Sequence, residues 1–219
     1  MSQCFSWDTV VGGAEKGRIV RVMSAMDAMN ALEWEKDGIY SIDATKPGAA
    51  VAVRDALVLC LASENTRREL VFVCIGTDRA TGDSLGPLTG HKLAERVQKK
   101  VAIYGTLEVP VHARNLRESM DMIQNRHKNP LVIAVDACLG LYARVGWLTV
   151  ARRPIWPGAA LRKGLPCVGD ISVMGTVSGG VAAEMSALQN TRLYTVMKMA
   201  DAIADGIAEV LEMQKDGGA

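Results

Sequence analysis

The sequence predicts an α/β protein: a three-layer sandwich with a mostly parallel central sheet. Three observations carry this. Apolar runs at Leu70–Ile75, Val101–Leu107 and Leu131–Val135 alternate with helical patterns. Strands apolar throughout are buried on both faces, as in a parallel sheet between two helical layers. The composition, 49% hydrophobic and 22% charged in 219 residues, is that of an ordinary globular chain with one large core. Finally, the first apolar run leads into a glycine-bearing loop with two carboxylates, Asp78 and Asp83, and the third ends on Asp136. Ligands of open α/β sheets bind beyond the carboxyl ends of the strands.

The elements follow in order. Ile19–Met23 reads as a short strand and Met23–Trp34 as a helix, and residues 1–45 form an N-terminal extension of uncertain structure. Residues 46–213 form one α/β domain, with no linker or internal repeat. Pro47 opens a helix with Val53, Leu57 and Leu61 on one face. After the first core strand a helix covers Ser84 to Lys99, with Pro87 tolerated in its first turn. The Arg114–Asn125 helix aligns Leu116, Met120 and Ile123. Val145–Ala151 and Ile171–Gly175 read as further strands, joined by a loop rich in Pro and Gly. A helix from Gly179 to Leu188 is interrupted at Gln189-Asn190, and Leu193–Leu211 carries a broad apolar stripe.

Several function classes are disfavoured. A net charge of +1 gives no bulk attraction to nucleic acid or anionic membrane. No apolar run nears the ~20 residues of a membrane span, and the N-terminus has no signal-peptide pattern. These features predict a cytoplasmic protein without nucleic-acid or membrane partners. The five cysteines form no Cys-x-x-Cys pair, and Cys60, Cys74 and Cys138 read as packed thiols. Gly-x-Gly-x-x-Gly, a Walker loop and a Gly-x-Ser-x-Gly elbow are all absent, so no cofactor is expected.

The candidate residues each have a plain reading beside the functional one. Asp83 either caps the following helix or supplies a carboxylate to the crevice. Asp78 either braces its loop against Arg79 or faces the ligand. Asp136 follows four apolar residues and must face the crevice or be paired, because burying it alone is costly. His91 and His127 read as surface or packing residues. His112 follows the second strand, and in a 2-1-3 sheet order it shares a crevice with Asp83 and Asp136. Ser178-Gly179-Gly180 reads as a helix start that is either a plain cap or an anion seat.

Longer motifs sharpen this. Cys74-Ile-Gly-Thr-Asp-Arg-Ala-Thr-Gly-Asp-Ser-Leu-Gly-Pro-Leu88, Tyr104-Gly-Thr-Leu-Glu-Val-Pro-Val-His112, Ile133-Ala-Val-Asp-Ala-Cys-Leu-Gly140 and Gln189-Asn-Thr-Arg-Leu193 closely resemble the YyaC-type sporulation proteins. The resemblance covers roughly residues 69 to 211. That family looks like a relative of the spore germination protease and the hydrogenase maturation endopeptidases, which share an α/β sandwich. The resemblance implies an aspartate pair at Asp83 and Asp136, and the sheet order adds His112 as a third catalytic group. Thr77, Asp78, Ser178 and Asn190 are expected to bind substrate in the same crevice. In the maturation enzymes, acidic residues at those two places join a histidine to bind nickel. That histidine falls near Gly175 or Thr176 here, so no bound metal is expected.

The resulting expectation is an endopeptidase of aspartic type in the spore or forespore interior. Its expected partner is a peptide or protein substrate, and a homo-oligomer is compatible with the sequence. The alternatives are a non-catalytic sporulation factor that holds a peptide or protein in the same crevice, and a metal-dependent hydrolase.

Overall fold

The computed structural model describes residues 32–35, 38–62, 64, 68–97, 101–157, 165–179 and 188–216. Seven strands and four helices make up its regular structure. In chain order these are β1 (Leu32–Glu35), β2 (Ile39–Asp43), α1 (Ala49–Ala62), β3 (Leu70–Cys74), α2 (Leu85–Arg96), β4 (Ala102–Tyr104), α3 (Leu116–Arg126), β5 (Leu131–Gly140), β6 (Trp147–Ala151), β7 (Ile171–Gly179) and α4 (Leu193–Asp216). The strands form one sheet in the order β1-β2-β6-β7-β5-β3-β4. The pairings β7–β5, β5–β3 and β3–β4 are parallel, and β1–β2, β2–β6 and β6–β7 are antiparallel. All strands except β1 and β6 therefore run in one direction.

Strand alternation divides the core into two layers. Phe72, Ile133, Val135, Ile171 and Val173 face α1, α2 and α4, where they meet Val53, Leu57, Leu85, Leu93, Met199 and Ile203. Val71, Val73, Val132 and Ala134 face the other way, onto Leu116 and Ile123 of α3 and onto Ile155 and Val168 of the β6–β7 connection. Burying side chains of this size contributes on the order of 2 kcal/mol each. No helix among the described residues is long and apolar enough to cross a membrane.

The expected 2-1-3 order of the first three core strands is present as β4-β3-β5. Helix α2 leaves β3 on one face, and α3 leads into β5 from the other. Adjacent connections on opposite faces open a crevice at the carboxyl ends of β3 and β5, the switch point of the sheet.

Four expectations need correction. Leu32–Trp34 belong to strand β1, not to the end of a helix; Ile19–Met23 and the rest of that helix lie outside the described residues. The hairpin β1–β2, inside the stretch read as an extension, is the antiparallel border of the same sheet. Strand β5 does not stop before Asp136 but continues to Gly140, since its ladder with β7 runs past the end of β3. Strand β7 likewise continues to Gly179, so Ser178 pairs with Leu139 within the sheet and does not open a helix. Residues 180–187 lie outside the described residues.

Candidate functional site

Strand β3 ends at Cys74, opposite Val135 of β5. The next residues tie three chain segments together. The Ile75 amide donates to the Val135 carbonyl (2.7 Å), the Gly76 amide to the Val111 carbonyl (2.8 Å) and the Thr77 amide to the Asp83 carbonyl (3.1 Å). Asp136 and His112 each directly follow a residue bonded to this corner, and Asp83 is itself bonded to it. Gly76 has φ +140°, and a Cβ there would overlap the Asp83 carbonyl oxygen. A Cβ on Gly86 would overlap the Ile75 carbonyl oxygen. Two glycines thus let the loop and the start of α2 close onto the end of β3.

Asp83 sits in a single 3-10 turn, Gly82–Ser84, that leads into α2. The residues at the two cap positions, Thr81 and Ser84, make no side-chain cap bond; the Ser84 hydroxyl instead donates to the Thr81 carbonyl (2.6 Å). Asp136 is 8% exposed, and its Oδ1 accepts the amide of Ala137 at 2.8 Å. Burial first, and the Asp83 charge second, push the Asp136 carboxyl up to about 8, against a smaller opposing pull from the Ala137 amide. An acid with that value keeps its proton at neutral pH while a second carboxylate stands close enough to be felt.

His112 lies beyond the bridge between Val111 and Ile75. Asn115 fixes its backbone: Oδ1 accepts the His112 amide (2.8 Å), and Nδ2 donates to the Pro110 carbonyl (3.0 Å). The His112 Nδ1 atom is buried and has no hydrogen-bond partner. A buried unpaired ring nitrogen carries a desolvation cost that a substrate or water would relieve.

The remaining expected residues divide. Asp78 is exposed at the loop tip, and the Thr77 hydroxyl accepts the Arg79 amide (3.4 Å). Ser178 and Asn190 come together in a separate cleft of about 250 Å³ with Tyr142, Thr191, Arg192 and Thr195. A Cβ on Gly82 would crowd Thr191 and Leu188, so this cleft lies beside the Asp83 turn. His91 stands exposed on α2 near Glu95, and His127 is buried between Glu69 and Tyr104. A larger cavity, about 360 Å³, lies at the opposite edge of the sheet, between Arg68, His127, Cys167 and Asp170.

Sequence reading did not foresee the contact between Cys138 and Thr176. These neighbours across β5 and β7 approach to 3.7 Å through sulfur and hydroxyl. Burial, and less strongly the Asp136 charge, push the Cys138 thiol up, so it is no activated nucleophile. A carboxylate and a thiol two apart on a strand share a face, which was the signal available.

The donor set does not fit a nickel site of the kind the resemblance implies. Gly175 offers no side chain, and the Thr176 hydroxyl meets the Cys138 sulfur. Among the described residues no three His, Cys, Asp or Glu side chains gather as metal ligands.

Fold and site define an α/β sandwich with an acidic pair at its switch point. Comparison with known proteins adds a family. The chain belongs to the family described as "Protein of unknown function (DUF1256)", which matches residues 42–206. It is similar to the "Uncharacterized protein YyaC" of Bacillus subtilis (strain 168), 49% identical over 141 residues, 64% of this chain and 69% of that protein. Among solved structures it is similar to the [NiFe] hydrogenase maturation protease HycI from Thermococcus kodakarensis KOD1. That match has a TM-score of 0.47 at 18% identity, and it covers 71% of this chain and 98% of the other.

Proposed function

We propose that this protein is an endopeptidase of aspartic type, with Asp83 and Asp136 as its reacting pair. The observation that carries the reading is the Asp136 carboxyl, raised to about 8 by burial and by the Asp83 charge. Two interacting carboxylates share one proton near neutrality. The ionised partner takes a proton from water as the water oxygen attacks the peptide carbonyl. The protonated partner hydrogen-bonds the carbonyl oxygen as negative charge develops there. His112 delivers the proton that the leaving amine needs when the C–N bond breaks. No covalent intermediate is required. The motifs shared with YyaC-type sporulation proteins support a peptide or protein substrate and a setting inside the sporulating cell as part of this reading.

The test is cleavage profiling on spore-protein extracts, comparing the full chain with Asp136→Asn. Fragments made by the wild type and absent with the variant support the reading. No cleavage by either protein, with peptide still retained in the crevice, favours the non-catalytic binding factor.

A further inference from the structure

Strand β5 has two neighbours over only part of its length. It pairs with β3 from Leu131 to Val135 and with β7 from Ile133 onward, and from Asp136 to Gly140 only the β7 ladder continues among the described residues. The Val135 carbonyl points to the β3 side, since it accepts the Ile75 amide. Parallel strands alternate the side their backbone groups face, so Ala137 presents its amide and carbonyl to the same edge. There, among the described residues, the Ala137 amide meets no strand and is held by Asp136 Oδ1. Exposure rises along the segment, from buried Asp136 to exposed Gly140. The strand leads directly to Leu141 and Tyr142, which are 75% and 78% exposed.

We propose that this open edge, Asp136 to Gly140, accepts an extended peptide as an added strand and seats the substrate across the aspartate pair. Unpaired strand edges template another chain, and folded proteins normally block them with charge, proline or a covering element. In strand addition the main-chain bonds hold the peptide, and pockets for alternate side chains select it. This edge lacks proline and lysine, and its single charged side chain is the proposed catalytic Asp136 itself. Its length, about 17 Å at ~3.3 Å per residue, holds about five peptide residues on one side of the reacting pair. Leu141 then offers an apolar contact for a side chain at the far end. The edge begins at Asp136, so its role as a substrate seat rests on the peptidase reading. The substrate class that follows is an unfolded or strand-forming segment, because a helix offers no free backbone groups to the edge.

The test separates binding from cutting. A displayed random library of peptides about ten residues long is selected against full-length Asp136→Asn, whose folding is checked by thermal melting. The best peptide is then resynthesised with a single N-methyl group at each position in turn. Strand addition predicts a two-residue period: methylation at alternate amides weakens binding about tenfold, and the intervening positions tolerate it. Hydrogen exchange at Ala137 and Leu139 should slow in the complex. Failure to select any peptide, an N-methyl scan without the period, or protection confined to other segments overturns the proposal. Periodic binding of a peptide that the wild type does not cut upholds strand addition and defeats the dyad. Cleavage of a peptide that shows no period does the reverse.

Discussion

Two polar clusters sit at opposite ends of the same pair of strands, β3 and β5. At the amino end, Arg68 bonds Asp170 (2.9 Å) and the carbonyls of Asn129 and Pro130. Asp170 also accepts the amide of Val132, and buried His127 is held between Glu69 (2.9 Å) and the Tyr104 hydroxyl (2.8 Å). Cations meet anions there, and both ring nitrogens have partners. At the carboxyl end the residue types are similar but the balance is different. Two carboxylates face each other's charge, a buried acid is pushed up to about 8, and a histidine nitrogen is unpartnered. The amino-end cluster resembles a structural clasp, and the carboxyl-end cluster holds an unpartnered ring nitrogen and a buried acid at a cost to stability. Sites that must act on another molecule carry such costs.

This contrast can be broken by experiment, most decisively at the acidic pair. Asp83→Asn and Asp136→Asn should each lower peptide cleavage on the order of 10³-fold, with folding retained by circular dichroism. Neither Arg68→Gln nor Asp170→Asn should lower cleavage per folded molecule. The two histidines give the next largest effect. His112→Gln should cost about 10²-fold in turnover with little change in urea midpoint. His127→Gln should leave turnover intact and lower stability by about 1–2 kcal/mol through its lost bonds.

The pH profile sharpens the comparison further. Asp136 must keep its proton, so cleavage should fall roughly tenfold per unit as pH rises above about 8. A profile flat to pH 10 would show that no raised acid takes part. The smallest effect is on stability, and its sign is diagnostic. The folded Asp136 binds its proton more tightly than the unfolded chain, whose carboxyl titrates near 3.8. Its contribution is therefore fully present below pH 4 and is lost as pH rises to about 8. Asp136→Asn should thus stabilise the protein more at pH 8 than at pH 4, measured by urea unfolding. Asp170→Ala should destabilise it by about 1–3 kcal/mol.

The parallel half of the sheet was legible because its strands are uniformly apolar and its helices carry periodic faces. The order β4-β3-β5 followed, and with it the convergence of the segments bearing Asp83, His112 and Asp136. The antiparallel border was not legible. Strand β2 is short, places Ser41 among apolar residues, and pairs Asp43 with Trp147, a partner no local pattern can announce. The end of β5 was misplaced because a carboxylate normally interrupts a buried strand. Here Asp136 is tolerated mid-strand, its Oδ1 taking the first amide that β3 leaves unpaired. Ser178 was read as a cap from Ser-Gly-Gly alone, whereas its ladder partner, Leu139, decides its state.

The hairpin at the sheet border has a practical consequence for anyone shortening this chain. The family match begins at Ile42, in the middle of β2. Trimming the protein to its matched segment would sever that strand and discard Tyr40, which is 5% exposed. The outer face of β6, now fully laddered to β2, would become a raw edge flanked by uncovered apolar surface. Such a fragment should aggregate during expression, and a start upstream of Leu32 should keep it soluble.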